Sequence, residues 1–216
     1  MESNRLHFLI TAGGTREYID PVRFITNASS GKMGFALAAS AVKTGHKATL
    51  ITTIKNPQFK IKNSKLKIVE VESAEQMFKA VKEHFRKCNC LIMAAAVSDY
   101  TPAEKYKIKI KKSNKNLVIK LKPTADILKW AGKNKKKNQI VVGFALEDKN
   151  LRKNADRKLK DKNLDMIIAN TPAAIGSEKS TVYIKKRDKN WLILKDLDKA
   201  VIAESIIKSS ILNLQF

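Results

Sequence analysis

Acidic residues, cysteines and long apolar segments are all scarce in this chain of 216 residues. No apolar run reaches the ~18 residues that a membrane-spanning helix needs. Glu2 and Asn4 directly precede a short predicted strand, which argues against a secretory signal. Cys88 and Cys90 are spaced too closely for an ordinary disulfide and poorly for a metal site. We therefore expect a protein of the reducing cytoplasm with no membrane partner.

Lysine dominates the charge of the chain. There are 43 Lys and Arg against 20 Asp and Glu, for a net charge of +23, a balance that is typical of nucleic-acid-binding proteins. However, the lysines are scattered from Lys43 to Lys208, and aromatic residues, which stack on bases, make up 6% of the chain. We therefore expect no nucleic-acid partner and a charge that draws polyanionic substrates towards a cleft. An RNA-binding module is the alternative that charge alone suggests.

The order of apolar segments predicts an α/β fold in a single domain, residues 1–216: a Rossmann-like, mostly parallel sheet flanked by helices, with a small β-hairpin or flap. Predicted strands cover residues 6–11, 48–53, 66–71, 90–95, 140–145 and 166–170. Predicted helices cover residues 32–44, 74–86, 125–133, 150–162 and 197–212, with a hairpin of 181–186 and 191–194 before the last one. Ser73 with Gln76 forms a capping box for the second helix, and Thr124 is the expected cap of the third.

Two small-residue turns near the start of the chain predict an anion site. Gly13–Gly14 end the first strand, and Ser29–Gly34 open the first helix, where either serine could serve as the cap. Glycines let the backbone approach a ligand closely, and the free N–H groups of a helix start favour an anion. Arg16, Arg23 and Lys32 add positive charge there. The pattern matches neither the P-loop nor the Rossmann fingerprint, and a purely structural turn is the alternative.

The end of the strand at 90–95 is the second candidate site. Ligands bind outside the carboxyl ends of strands in open α/β sheets. The alanines of Ala94–Tyr100 let a base or a ribose lie against the backbone, and Asp99 offers a carboxylate. Phe144, at the end of the next strand, is a candidate to stack on the base. A turn or cap role for Asp99 and a core position for Phe144 are the alternatives.

In the lysine-rich stretch 101–123, which we call the flap, lysines and apolar residues alternate with a period of two. Residues 107–112 and 117–122 alternate around 113–116, which predicts a hairpin or a flexible loop. Lysine alternation usually means a solvated strand face. The same element is a plausible dimer contact.

Taken together, these motifs resemble the bacterial phosphopantothenate–cysteine ligase family of coenzyme A biosynthesis. The similarity covers nearly the whole chain, in family order and at family spacing, with Thr26 where Ser is usual and Gly14 where Pro is frequent. The matching segments are Ile10–Gly34, Ala94–Tyr100, Lys109–Lys112, Ala125–Leu128, Val141–Phe144 and Ala169–Asn170.

The resemblance implies roles for particular residues. Asn27 and Arg23 would act on the acyl-nucleotide intermediate, and Lys109 would close over the phosphates, with Lys107 as its rival in register. The implied nucleotide-binding residues are Gly13, Gly14, Ser29, Ser30, Gly31, Lys32, Met93, Ala94, Ala95, Asp99, Ala125, Asp126, Ile127, Leu128, Phe144, Lys158 and Lys162. The implied substrate-binding residues are Asn27, Arg23, Ala95 and Ala96.

The resemblance also implies a reaction and its partners. The family joins 4'-phosphopantothenate to L-cysteine through an acyl-cytidylate, with CTP as co-substrate and release of pyrophosphate and CMP. It implies Mg²⁺, whose protein ligands stay unassigned, and a homodimer. Because the motifs begin almost at the first residue, we expect a stand-alone ligase without flavin, linked functionally to a separate phosphopantothenoylcysteine decarboxylase.

Other activities are less consistent with these motifs. The same reaction with ATP is the first alternative, since eukaryotic-type relatives use ATP. A nucleotide-binding Rossmann-like protein of another activity, such as an oxidoreductase, is the second. It is disfavoured because Thr52–Ile54 stands where such enzymes end the second strand with an acidic residue that binds ribose.

Overall fold

An eight-stranded sheet runs through the centre of the computed structural model, which describes residues 5–55 and 64–214. The strands in chain order are β1 His7–Ala12, β2 Arg16–Tyr18, β3 Phe24–Thr26, β4 Lys47–Thr52, β5 Leu66–Glu70, β6 Cys90–Met93, β7 Tyr100–Pro102, β8 Leu121–Pro123, β9 Ile140–Leu146, β10 Met166–Asn170, β11 Lys179–Lys186 and β12 Leu192–Asp198. The helices are α1 Lys32–Lys43, α2 Ala74–Phe85, α3 Ile127–Asn134, α4 Leu151–Asp161 and α5 Lys199–Leu214.

The sheet is mostly parallel, which confirms the predicted fold class. Its order is β12-β11-β10-β9-β6-β1-β4-β5, and the six strands from β10 to β5 run parallel. The hairpin β11–β12 adds two antiparallel strands at one edge, as predicted. The central strands are nearly continuous apolar runs because both of their faces are covered.

Helices cover both faces of the sheet and bury two apolar layers. One layer lies between the sheet and α1 with α5, and contains Phe8, Leu37 and Ile206. The other lies against α2, α3 and α4, and contains Leu91 and Met77. None of the helices in the described part of the chain is long and apolar enough to span a bilayer.

The chain reverses its direction of winding at β1. It proceeds from β1 through β4 to β5 on one side, and then returns to place β6 on the other side. The carboxyl ends of β1 and β6 therefore diverge at a topological switch point, where open α/β sheets bind their ligands. The segments after these two strands are joined by backbone hydrogen bonds, in which Ala96 N donates to Gly13 O at 2.9 Å and Thr15 N donates to Ala96 O at 3.3 Å.

Helix capping matches the prediction in one place and differs in two. The Ser73–Gln76 capping box is present. Helix α3 begins after Asp126, whose carboxylate accepts a hydrogen bond from Lys129 N, so Thr124 is not the cap. The Thr124 hydroxyl instead donates to Ser98 O at 2.6 Å. Neither predicted serine caps α1, because the N-cap residue is Gly31 in a left-handed conformation with φ of 72°.

The flap confirms the predicted small hairpin, whereas the loop after β1 contains strands that were not predicted. Residues 107–112 and 117–120 form no ladder; the flap is held at its base by the three-residue pair β7–β8. The loop after β1 contains a further antiparallel pair, β2–β3, which no pattern in the sequence predicts.

Candidate functional site

A cleft of about 540 Å³ lies at the switch point, and we refer to it as the main cleft. A side pocket of about 160 Å³ adjoins it. Of the predicted site residues, the main cleft is lined by Asn27, Ser29, Ser30, Gly31, Lys32, Ala94, Ala95, Ala96, Asp99, Phe144 and Lys158. The side pocket is lined by Met93, Ala125, Asp126, Ile127, Leu128 and Lys162, together with Ala95, Asp99, Phe144 and Lys158 from the main cleft.

Four predicted site residues line neither pocket: Gly13, Gly14, Arg23 and Lys109. The glycines instead allow a close approach of backbone segments. A Cβ atom on Gly14 would lie 2.4 Å from the carbonyl oxygen of Asn27, so the absence of a side chain lets Asn27 reach the cleft wall. There the Asn27 amide donates to Val97 O at 3.2 Å.

The N-terminal turn of α1 forms one end of the main cleft. Ser29 Oγ accepts a hydrogen bond from Gly31 N at 3.4 Å, and no side chain caps the helix itself. The first-turn N–H groups of an uncapped helix are suited to an anion. Lys32 lies at this end, where its ammonium donates to Gly176 O at 3.3 Å and pairs with the Glu178 carboxylate.

The opposite end of the main cleft, shared with the side pocket, combines an aromatic ring with two lysines. The Lys158 ammonium donates to Phe144 O at 2.7 Å, and Lys162 pairs with Asp126 at 2.9 Å. Burial lowers the pKa of Lys158, and the charge of Lys162 lowers it further. The carboxylates of Asp99 and Asp126 raise it. A buried cation beside a second cation is a favourable position for a ligand anion.

Sequence reasoning missed the wall of the main cleft that faces α1. It is formed by the carboxyl end of β10, the segment after it, the start of β11 and the start of α5. Its residues are Asn170, Ala174, Ile175, Gly176, Ser180 and Lys199. Asn170 belongs to a matching motif, but the others carry no motif of their own. Gly176, for example, accepts a hydrogen bond from Lys32 of α1, 144 residues away in the chain, so no local pattern indicates the contact.

Arg23 and Lys109 lie together at the flap, outside the cleft. Arg23 pairs with Asp20 at 2.6 Å and donates to Ile110 O at 2.5 Å. Tyr106 N donates to Ile19 O at 2.9 Å, which makes a second link between the flap and the β2–β3 turn. Lys109 stands between these two links with its side chain exposed. These two links hold the segment that carries Lys109 against the β2–β3 turn, which also carries Arg23.

Asp20 is the centre of this attachment. Its side chain is fully buried and accepts from the backbone N–H groups of Val22, Arg23 and Ile110. Burial raises the pKa of the Asp20 carboxyl, but these hydrogen bonds and the Arg23 guanidinium outweigh burial and bring it to about 2. The carboxylate is consequently charged at neutral pH, where its hydrogen bonds to the flap and to Arg23 are available.

An Asp20→Asn variant is expected to release the flap. The neutral amide cannot pair with Arg23, and its NH₂ group faces N–H donors that need an acceptor. We expect tryptic cleavage after the lysines of 107–112 to accelerate roughly tenfold, because the segment opens more often. Asp156→Asn, which removes a surface pair with Lys185, is the matched control and should leave that rate unchanged. Equal cleavage rates for Asp20→Asn and the unmodified protein would contradict this role.

No cluster of three or more His, Cys, Asp or Glu side chains in residues 5–55 and 64–214 is arranged to hold a metal ion. The carboxylates at the cleft are spread over its length: Asp99 and Asp126 at one end, Glu178 at the other.

Comparison with known proteins identifies the family. The DNA/pantothenate metabolism flavoprotein C-terminal domain family matches residues 3–213. The chain belongs to this family. The coenzyme A biosynthesis bifunctional protein CoaBC of Borreliella burgdorferi is 43% identical over 93% of the chain and 51% of that protein. A cysteine/cysteine sulfinic acid decarboxylase from an unknown prokaryotic organism is 42% identical over 95% of the chain and 58% of that protein.

A solved structure supports the same grouping. The crystal structure of the C-terminal domain of a coenzyme A biosynthesis bifunctional protein CoaBC is 38% identical, with a TM-score of 0.80. The match covers 97% of this chain and 96% of that one. The chain spans about half the length of the curated relatives it matches.

Proposed function

We propose that the chain is a phosphopantothenate–cysteine ligase that acts in coenzyme A biosynthesis. The observation that carries the proposal is a cleft with two unlike ends. One end offers an aromatic ring, carboxylates and the lysines Lys158 and Lys162, and the other offers an uncapped helix start with Lys32. A nucleoside triphosphate likewise has an aromatic base and a ribose at one end and a charged phosphate chain at the other. The CoaBC relative, 43% identical, adds support because its name places it in coenzyme A biosynthesis.

We assign the nucleoside to the side pocket. Phe144 would stack on the base, and Asp99 would accept hydrogen bonds from the amino or hydroxyl groups of the nucleoside. Lys158 and Lys162 would lie beside the first phosphate, because both line this pocket and Lys158 also lines the main cleft. The triphosphate would then extend along the main cleft towards α1.

In the first step, a carboxylate oxygen of 4'-phosphopantothenate attacks the α-phosphorus of CTP. The bond from that phosphorus to pyrophosphate breaks, and an acyl-cytidylate forms. Such a transfer needs alignment and charge neutralisation more than covalent help from the protein. Lys158 and Lys32 both line the main cleft and would supply positive charge at the two ends of the reacting group. Magnesium suits the site as an ion carried by the triphosphate, since Mg²⁺ commonly binds substrate phosphates and water.

In the second step, the cysteine amine attacks the acyl carbon, and the carbon–oxygen bond to CMP breaks. Negative charge builds on the acyl oxygen and needs a hydrogen-bond donor. The Asn27 amide has two N–H donors, of which the structure uses one on Val97 O. Asn27 is therefore proposed to donate to the acyl oxygen.

The flap is proposed to supply Lys109 during the reaction. Its attachment to Asp20 and Arg23 keeps Lys109 outside the cleft in the present arrangement. Closure would move Lys109 onto the phosphates. Arg23 would then either move with the flap or lose its hydrogen bond to Ile110 O. The flap also carries exposed apolar side chains, among them Ile108, Leu117 and Val118, which are suited to the contact of a homodimer.

Pyrophosphate release tests the proposal. Purified protein receives Mg²⁺, 4'-phosphopantothenate and L-cysteine, with CTP or ATP in separate reactions. We expect release that requires phosphopantothenate, with CTP well ahead of ATP. ATP ahead of CTP would keep the reaction and overturn the assignment of Asp99 and Phe144 to a cytosine. Release of CO₂ from cysteine without pyrophosphate would contradict the proposal and favour the activity named for the second relative.

A further inference from the structure

Ser180 presents an unsatisfied hydroxyl to the main cleft. The residue lies near the start of β11 and is 7% exposed. Its Oγ is a buried atom without a hydrogen-bond partner in the described part of the chain, and the residue lines the cleft wall that faces α1. Buried hydroxyls are nearly always paired, so a missing partner calls for an explanation. A ligand group bound in the cleft would supply it.

Lys199 lies on the same wall, at the first position of α5. It is 9% exposed, and its ammonium donates to Ala174 O at 3.2 Å and to Ser177 O. These two carbonyls hold the ammonium in place and use two of its three N–H donors. Burial lowers the pKa of Lys199, and the charge of Lys32 lowers it further, while Glu178 raises it. Two lysines thus share one carboxylate at this end of the cleft.

Glu178 is the most replaceable member of the cluster. Its side chain is 80% exposed and pairs with Lys32 across the cleft mouth. An exposed carboxylate gives little net stabilisation to an ion pair. An incoming phosphate, with more charge and more acceptor oxygens, can displace it and pair with both lysines.

We propose that Ser180, Lys199 and Lys32 form a subsite for the pyrophosphate end of the nucleoside triphosphate. This rests on the proposed function for the identity of the nucleotide. The position follows from the cleft itself: Phe144 and Lys158 occupy the end where the nucleoside is assigned, and the three residues occupy the other. The uncapped start of α1 adds N–H donors to the same end. After transfer, Glu178 would pair with Lys32 again as pyrophosphate departs.

Ser180→Ala is the cleanest test, because it removes a hydroxyl that makes no hydrogen bond within the described residues and so costs the free protein no contact. We expect affinity for inorganic pyrophosphate and for CTP, each with Mg²⁺, to fall roughly tenfold, as for one lost hydrogen bond to a charged group. Affinity for CMP should stay within a factor of two. Isothermal titration calorimetry measures the affinities for these three ligands and for 4'-phosphopantothenate.

Lys199→Ala should have the larger effect, with pyrophosphate and CTP binding weakened roughly 30- to 100-fold and CMP again unaffected. Lys208→Ala, on the exposed side of the same helix, is the matched control. Equal losses for CTP and CMP, or none in either variant, would overturn the subsite. A loss confined to 4'-phosphopantothenate would overturn it too and assign these residues to that phosphate. Because pyrophosphate binding is measured without turnover, a protein that binds it through Ser180 and Lys199 but makes no product would disprove only the ligase.

Discussion

In a single turnover, an Asn27→Asp variant is expected to release pyrophosphate but to form the product, 4'-phosphopantothenoylcysteine, at least about 100-fold more slowly than the unmodified protein. The acyl-cytidylate should accumulate on the variant. The activating step does not depend on the Asn27 amide in our account, whereas the second step does. A carboxylate at this position has no N–H to donate and repels the anion that develops on the acyl oxygen.

Trapping the intermediate is the measurement for Asn27→Asp. Quenched reactions are analysed by mass spectrometry for the acyl-cytidylate and for the final product. Asn134→Asp is a matched control, because the Asn134 amide also donates to a backbone carbonyl, at 2.8 Å, but at the end of α3 outside the cleft. Product formation at the normal rate in Asn27→Asp would show that Asn27 has no part in the second step.

A Gly34→Ala variant is expected to unfold at lower urea concentration, with a loss of about 2–4 kcal/mol in the free energy of unfolding. Helix propensity alone predicts the opposite sign, since alanine is favoured over glycine by about 1 kcal/mol inside a helix. The clash decides the sign. A Cβ atom at this position would lie 2.5 Å from the Cβ of Ala12 and 2.9 Å from Thr11 O, both on the central strand β1.

The control for Gly34→Ala is Gly45→Ala. Gly45 has φ of +92°, and a Cβ atom added to it would have no other atom within 4 Å, so its substitution costs only backbone strain, about 1–2 kcal/mol. Urea unfolding followed by the fluorescence of Trp130 and Trp191 compares the two. If Gly34→Ala were as stable as the unmodified protein, the close approach of α1 to β1 would not be the reason for glycine there. A shifted α1 should also weaken anion binding at its first turn.

Local signals in the sequence were sufficient for most of the fold. Apolar runs identified β1, β6 and β10, and the Ser73–Gln76 box placed the start of α2. They failed where two local options compete. Thr124 and Asp126 can both cap a helix. The hydroxyl of Thr124 instead donates to Ser98 O, and Asp126 is the cap. The strands β2 and β3 have three residues each, too few to show a period.

Site residues that belong to sequence motifs could be predicted, whereas those that depend on tertiary contacts could not. The motifs around Asn27, Asp99 and Asp126 indicate residues that the structure brings to the main cleft and the adjoining side pocket. The alternating lysines of the flap indicate a hairpin or a flexible loop. The structure has a short hairpin at the base of the flap, while residues 107–112 have no partner strand and are held by Asp20. Ser180 and Lys199 could not be predicted, because their place in the cleft depends on burial and on a tertiary arrangement that sets them on the wall facing α1.

The most direct test of the account is the fate of a carboxylate oxygen. 4'-Phosphopantothenate labelled with ¹⁸O in its carboxylate is turned over with CTP and L-cysteine, and the nucleotide product is analysed by mass spectrometry. Attack of the carboxylate on the α-phosphorus, followed by cleavage of the acyl carbon–oxygen bond, predicts one ¹⁸O atom in each CMP. Unlabelled CMP, with the label in phosphate or pyrophosphate, would contradict the acyl-cytidylate and the assignment of roles along the cleft.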